Sequence, residues 1–108
     1  MLQKKYRLKP VLLKNPKSYS LANFNVKIAK NKEEINHFAF IVSKRVDRRS
    51  TVRNGLKRKL RSCVEEIFDS IRQGNDFIFY PKQEAIRISR EQFLEELNCF
   101  LTREKLLK

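Results

Sequence analysis

A long amphipathic helix is predicted between two short strands that are almost wholly apolar. The first strand, 38–42, reads Phe-Ala-Phe-Ile-Val, and the second, 77–80, reads Phe-Ile-Phe-Tyr before Pro81. Strands without polar alternation are usually covered on both faces or central in their sheet. Between them, apolar residues recur at helical spacing and form one stripe that must pack on something. The stripe comprises Val52, Leu56, Leu60, Val64, Ile67 and Ile71.

The remaining segments add a strand and a second helix. Residues 24–28 alternate between apolar and polar side chains, which is typical of a half-buried strand. Near the C-terminus, Ser89 and Gln92 have capping-box spacing in front of another amphipathic stretch. We expect Ser50 or Thr51 to cap the central helix and Gly74 to end it. This order predicts an α+β fold, a two-layer α-β sandwich with helices against one small sheet.

The chain length of 108 residues fits one domain, because so short a chain cannot bury two independent cores. We therefore treat 1–108 as a single domain. The first twenty residues are basic, and Pro10 and Pro16 bracket a short apolar run and limit any helix there. We expect residues 1–20 to form an irregular basic N-terminal arm.

The charge balance points to a polyanionic partner. The chain has 25 Lys and Arg against 12 Asp and Glu, a formal net charge of +13. Such an excess destabilises the compact state by self-repulsion unless an anion relieves it. A phosphate backbone does so and releases counterions as its charges are neutralised. Nucleic acid is thus the leading candidate, although basic charge can also serve solubility alone.

The start of the central helix concentrates this charge. At 100° per residue, Arg53, Lys57 and Arg61 form one row, with Asn54 and Arg58 beside it. Cations near a helix N-terminus oppose the helix dipole, so local stability would favour the reverse order of charges. A bound phosphate removes the conflict, because backbone N–H groups and side chains then attract the same anion. The pattern predicts nucleic-acid binding.

The residues give little support for a disulfide-bonded, metal-binding, catalytic or membrane protein. Cys63 and Cys99 fall among apolar residues without CxxC spacing, so we expect neither a disulfide nor structural zinc. His37 lies in a polar turn and is expected at the surface, and no set of residues suggests protein-based catalysis or a metal site. No long apolar stretch indicates export or membrane insertion, so we expect a cytoplasmic protein without membrane contact.

The motif resembles a known family. Val42-Ser43-Lys44-Arg45-Val46, a loop, and then Arg53-Asn54, Lys57-Arg58 and Arg61 are similar to the protein subunit of bacterial ribonuclease P. The resemblance implies a mixed sheet with a left-handed βαβ crossover, as in the second domain of ribosomal protein S5. It also implies a protein cofactor for a catalytic RNA that removes 5′ leaders from precursor tRNA. Mg²⁺ is then expected on the RNA subunit, and the protein is expected to be a monomer in the complex.

The resemblance assigns site residues, none of them catalytic or metal-binding. RNA contacts are expected from Arg53, Asn54, Lys57, Arg58, Arg61, Lys44, Arg45, Arg48, Arg49 and Lys59. Aromatic side chains on a sheet face can stack bases, and the candidate leader cleft comprises Phe24, Val26, Phe38 and Phe40. The chain departs from the family where Gly55 replaces a usual third arginine, where the 47–52 loop is longer, and where prolines interrupt the first helix.

Two other functions stay open on the residues. A ribosomal or general structured-RNA-binding protein without a part in cleavage would have a similar size and charge. A DNA-binding regulator could insert the basic helix into a major groove, although no helix precedes it as a helix-turn-helix requires.

Overall fold

A four-stranded mixed sheet with two helices makes up the computed structural model, which describes residues 4–7 and 13–108. Short 3-10 turns occur at Lys4–Tyr6, Phe68–Ser70 and Gln83–Ile86. The strands are β1 (Lys17–Ser20), β2 (Phe24–Lys30), β3 (His37–Phe40) and β4 (Asn75–Pro81), and the helices are α1 (Ser50–Ile67) and α2 (Arg90–Arg103).

The strands lie in the order β1-β2-β4-β3. β1 with β2 and β2 with β4 are antiparallel, whereas β3 and β4 are parallel. Parallel neighbours need a long crossover connection, and α1 lies in the chain between these two strands. The predicted α+β sandwich with a mixed sheet and a βαβ unit is therefore confirmed, while the left hand of the crossover stays a prediction.

One face of the sheet forms the core with both helices. Alternation in β2 buries every second side chain from Phe24, and the rings of Phe24 and Phe93 stack at 5.1 Å. In α1 the predicted stripe is buried at Leu56, Leu60 and Val64 and only half-buried at Val52 and Ile67. α2 contributes its own stripe behind the predicted capping box at Ser89 and Gln92. The core includes Val26, Phe38, Leu56, Leu60, Cys63, Val64, Phe77, Phe79, Leu97, Phe100 and Leu101.

Two strand predictions need correction. The apolar strand predicted at 38–42 covers only His37–Phe40 and lies at the sheet edge, not in the centre. Ile41, beyond its end, is 48% exposed. The predicted irregular arm contains β1 at its end, and Arg7 forms an isolated parallel bridge with Phe38. The rest of the arm, 1–3 and 8–12, lies outside the described residues.

The central helix has different ends from those predicted. Its N-cap is Arg49, not Ser50 or Thr51, and no side chain accepts a capping hydrogen bond there. The helix ends at Ile67, because a 3-10 turn follows and buried Ile71 pairs with Leu107 in an isolated bridge. Gly74 instead takes a φ of 97° in the turn before β4, a conformation that suits glycine.

Both cysteines are free thiols, as expected, but they differ in environment. Cys63 is buried, its Sγ lies 3.6 Å from the carbonyl oxygen of Arg90, and burial raises its pKa. Cys99 is exposed rather than packed in the core. Among the helices of the described residues, none has the length and apolar character needed to cross a membrane.

A buried asparagine joins the two loops that precede the parallel strands. Asn36 is 0% exposed. Its Nδ2 donates to the carbonyl of Arg72 at 2.9 Å, and its Oδ1 accepts from the N–H of Asn75 at 3.0 Å. The backbone N–H of Asn36 donates to Oε1 of Gln73 at 3.0 Å. This amide thus holds the start of β3 against the start of β4.

We expect Asn36→Ala to lower the free energy of unfolding by about 1–3 kcal/mol, because the carbonyl of Arg72 and the N–H of Asn75 lose the buried amide that pairs with them. Urea unfolding followed by circular dichroism measures the change. The matched control is Asn98→Ala in α2, where alanine has the higher helix propensity, so stability should hold or rise slightly. Equal losses in both variants would contradict the assigned role of Asn36.

Candidate nucleic-acid interface

The loop before α1 is organised around one carboxylate. Oδ1 of Asp47 accepts from the backbone N–H of Arg49 at 2.8 Å and from its Nε at 3.0 Å. Oδ2 accepts from Nη2 of the same guanidinium at 2.9 Å. The hydrogen bond from Arg49 is the largest cause that lowers the pKa of Asp47 to about 2. Asp47 is therefore ionised at neutral pH and fixes the turn into the helix.

Arg53 completes this loop from the first turn of α1. Its Nη1 donates to the carbonyl of Asp47 at 3.0 Å and to that of Arg48 at 2.7 Å. The side chain is half-buried. Arg53 was predicted to bind RNA, but its guanidinium already holds two loop carbonyls. It adds positive charge to the site, and its two hydrogen bonds hold the loop in place.

Beyond Arg53, α1 presents a cationic surface on one flank of its buried stripe. Lys57 and Arg61 are half-buried beside the stripe, whereas Asn54 and Arg58 are exposed. No acidic residue lies in the first turn. Among the described residues, Lys57, Arg58 and Arg61 form no ion pair with a carboxylate. We name the set Asn54, Lys57, Arg58 and Arg61 the basic helix face.

Of the remaining predicted cations, three are exposed in the segment between β3 and α1, and Lys59 is on the other side of the helix. Lys44 and Arg45 are exposed in the turn after β3, and Arg48 is exposed in the loop before α1. Lys59 lies on the opposite flank, where its Nζ donates to the carbonyls of Ala85 at 3.0 Å and Ile88 at 2.8 Å. The ammonium group ties α1 to the segment before α2 and lies away from the basic helix face, and its predicted role in RNA binding stays a prediction.

The predicted leader cleft also needs correction. Phe24 and Val26 are 0% exposed and Phe38 is 1% exposed, so all three belong to the core and present no surface to a base. Only Phe40 is partly exposed, at the end of β3. Sequence alternation showed which side chains share a face of each strand, but it could not show which part of that face the helices cover.

A cleft that the sequence reasoning missed lies at the other end of the sheet. It has a volume of about 640 Å³ and is lined by β1, the end of β2 and the segment after α2. Burial, followed by the nearby carboxylate of Glu104, raises the pKa of Tyr19 in its wall. The lysines near the strand ends were the available signal. The lining is Lys14, Asn15, Lys17, Tyr19, Ile28, Ala29, Lys30, Asn75, Glu104 and Leu106.

His37 lies in a polar cluster, not at the surface as predicted. Its Nδ1 is 2.9 Å from Oδ1 of Asp76, and its Nε2 is 3.3 Å from Oε2 of Glu33. Asn31 donates to the same Asp76 oxygen at 2.9 Å. These contacts tie the loop before β3 to β4. Across residues 4–7 and 13–108, no group of three or more His, Cys, Asp or Glu side chains is arranged to hold a metal ion.

Comparison with known proteins agrees with the motif and the fold. The family model described as Ribonuclease P matches residues 2–105. The chain belongs to the ribonuclease P protein family. Curated ribonuclease P protein components are similar to it, from Cyanothece sp. at 29% identity over 79 residues and from Microcystis aeruginosa at 33% over 70. The matches cover 73% and 65% of this chain but only 60% and 58% of those relatives.

Solved structures of the ribonuclease P protein family share the fold. The RNase P protein from Thermotoga maritima superimposes with a TM-score of 0.75 at 25% identity, covering 82% of this chain and 84% of that chain. An RNase P protein mutant from Staphylococcus aureus, described as defective in mRNA degradation, gives 0.80 at 25% identity, with coverages of 95% and 91%. The family's sandwich therefore extends over nearly the whole chain.

In this ribonuclease P family chain, we expect the carboxyl of Asp47 to titrate near pH 2 in an NMR titration. Arg49→Ala should move the midpoint toward the ordinary value of 3.8. Because the folded pKa is depressed, the pair stabilises the loop above the unfolded pKa, and that contribution disappears between about pH 4 and pH 2.

Arg48→Ala is the control for this titration, because the adjacent exposed arginine has no hydrogen bond to Asp47. It should leave the midpoint near 2. A wild-type midpoint close to 3.8, or equal shifts in both variants, would rule out the ion pair as the organiser of the loop.

Proposed function

We propose that this chain is the protein subunit of a ribonucleoprotein endonuclease that removes 5′ leaders from precursor tRNA. In this proposal the RNA subunit performs the chemistry and binds the Mg²⁺ ions. The protein lowers the repulsion between RNA phosphates and positions the substrate. Its partners are the catalytic RNA and precursor tRNA, it acts as a monomer in the complex, and it works in the cytoplasm.

The observation that supports the proposal most is the basic helix face on a member of this family. Lys57, Arg58 and Arg61 lie roughly two to three turns beyond Ser50, the first residue of α1, and have no carboxylate partner among the described residues. Cationic side chains favour phosphate oxygens. Arginine adds bidentate geometry that suits a phosphate group. This face is therefore proposed to bind the RNA subunit.

The cleft between β1, β2 and the segment after α2 is proposed to receive the single-stranded leader. Lys14, Lys17 and Lys30 supply positive charge at its wall, while Tyr19 and Ile28 supply an aromatic ring and an apolar surface. Single strands bind where a cationic groove follows the backbone and aromatic rings accept bases. Glu104 also lines the cleft and offsets part of its positive charge.

The experiment that tests the function is reconstitution with the RNA subunit from the same organism and a precursor tRNA. At low Mg²⁺ the RNA alone should cleave poorly, and added protein should restore release of the 5′ leader. A control precursor with a one-nucleotide leader separates cleft binding from RNA-subunit binding. If the protein binds the RNA but never promotes cleavage, it is a general structured-RNA-binding protein instead.

Removing the charges of the basic helix face should weaken binding of the RNA subunit and should make the affinity depend less on salt concentration. For Lys57→Ala/Arg58→Ala/Arg61→Ala, we expect the slope of log affinity against log salt to become shallower by about 2–3, because three phosphate contacts are lost. Filter binding across a salt series measures the slope.

The control for that variant removes the same charge from exposed positions elsewhere, as Lys32→Ala/Arg87→Ala/Lys108→Ala. Its slope should change by much less, because none of these side chains belongs to the basic helix face. Equal effects from both triple variants would attribute binding to net charge alone and contradict the proposed interface.

Gly55 offers a test in the opposite direction. No heavy atom lies within 4 Å of a Cβ placed there. Gly55→Ala should stabilise the protein by about 1 kcal/mol through helix propensity. Gly55→Arg should bind the RNA subunit several-fold more tightly than Gly55→Ala, because it adds a cation to the helix start. Binding of Gly55→Arg no tighter than that of Gly55→Ala would show that this helix position does not face RNA.

A further inference from the structure

Four nearly parallel phenylalanine rings form two neighbouring cross-strand pairs on β3 and β4. The rings of Phe38 and Phe77 stack at 5.1 Å, those of Phe77 and Phe79 at 6.1 Å, and those of Phe79 and Phe40 at 5.6 Å. Their interplanar angles are 11°, 5° and 12°. The first three rings are buried, whereas Phe40 is only half-buried. This cluster thus presents one aromatic ring, that of Phe40, at the boundary between core and solvent.

An arginine of the basic helix face lies over this last ring. The Cζ atom of Arg61 is 5.8 Å from the centroid of Phe40, within the range of a cation–π interaction. Arg61 follows Lys57 by one helical turn and has no ion pair with a carboxylate among the described residues. Its guanidinium is therefore held at a defined place without being neutralised.

We infer that Phe40 and Arg61 form a stacking site for one unpaired nucleobase of the RNA that binds the basic helix face. Unpaired bases stack on aromatic rings and on guanidinium planes, and the N–H edges of Arg61 can still donate to a phosphate. A base inside a duplex cannot reach such a site. The inference rests on the proposed function and adds the recognition of a splayed base to it.

A second arginine–ring pair lacks these properties. The Cζ atom of Arg103 also lies 5.8 Å from a ring, that of Phe100. However, Phe100 is 1% exposed, and Nε of Arg103 is 3.4 Å from Oε2 of Glu104. Arginine over phenylalanine is therefore not sufficient. Of the two pairs, only Arg61 and Phe40 combine a half-buried ring, a guanidinium without a carboxylate partner among the described residues, and a neighbouring lysine, Lys57.

The test uses the full chain and a transcript of the RNA subunit alone. Phe40→Leu removes the ring, and Arg61→Lys keeps the charge but removes the planar group. Each should weaken binding about tenfold, the size typical of losing one base–aromatic stack. The double variant should bind as tightly as whichever single variant binds less tightly, because both substitutions remove the same interaction. The salt slope should stay unchanged, because no charge is lost.

Chemical probing of the RNA gives a second readout. One unpaired base should be protected from base-specific modification by the wild-type protein and become reactive with either variant. Arg61→Lys leaves the core intact, so a folding defect in Phe40→Leu cannot decide the outcome. Circular dichroism at the binding temperature checks both proteins.

Matched controls are Phe68→Leu, a half-buried ring over which no cation of the described side chains lies, and Arg103→Lys. Both should bind like the wild type. The inference is overturned if Phe40→Leu and Arg61→Lys bind like the controls, or if their losses add in the double variant. If the wild-type chain does not bind the RNA at all, the proposed function fails as well. If it binds but only the basic-face triple variant weakens it, the stacking site alone fails.

Discussion

The packing of α1 across the parallel strands β3 and β4 decides which side chains this protein offers to a partner. Leu56, Leu60 and Val64 are 3%, 0% and 0% exposed, and each buried side chain contributes roughly 1.5–3 kcal/mol. A cation near a helix N-terminus costs only about 0.3–1 kcal/mol. The buried stripe therefore fixes the rotation of the helix despite its unfavourable start. That rotation sets Lys57 and Arg61 at the edge of the core and Arg58 in solvent.

The loop before α1 uses an acid without neutralising the site. Asp47 forms its ion pair with Arg49 at 2.9 Å, and Arg53 binds loop carbonyls instead of the carboxylate oxygens. Arg49 and Arg53 thus stabilise the loop, and the basic helix face that follows them in the chain keeps its positive charge. A carboxylate bound to Lys57 or Arg58 would have stabilised the free protein slightly, because exposed pairs contribute little. It would also have competed with phosphate.

Sequence periodicity predicted the helices, β2, β4 and the cationic row, because each depends on residues close in the chain. It failed where a side chain's environment depends on contacts with residues far away in the chain. The role of Lys59 depends on carbonyls of Ala85 and Ile88, 26 and 29 residues away, so its charge alone suggested RNA binding. The edge position of β3 depends on strand order, which alternation does not encode. For the same reason Phe24 and Phe38 were assigned to a cleft although the helices cover that part of the sheet.

The strand register separates the two proposed RNA contacts. Phe40 pairs with Phe79 near the end of β4, whereas Lys30 in the cleft wall pairs with Asn75 at its start. α1 runs back along β3, since Arg61 lies over Phe40, and Phe68, in the 3-10 turn just after the helix, contacts Phe38. Asn75 and Phe79 are four residues apart, so at about 3.3 Å per residue the cleft wall and the Phe40 end are separated by about 13 Å along β4. One nucleotide cannot reach both, so in the proposed function the cleft and the basic helix face contact different nucleotides. That separation is what a protein needs if it is to hold a catalytic RNA and a substrate leader at the same time.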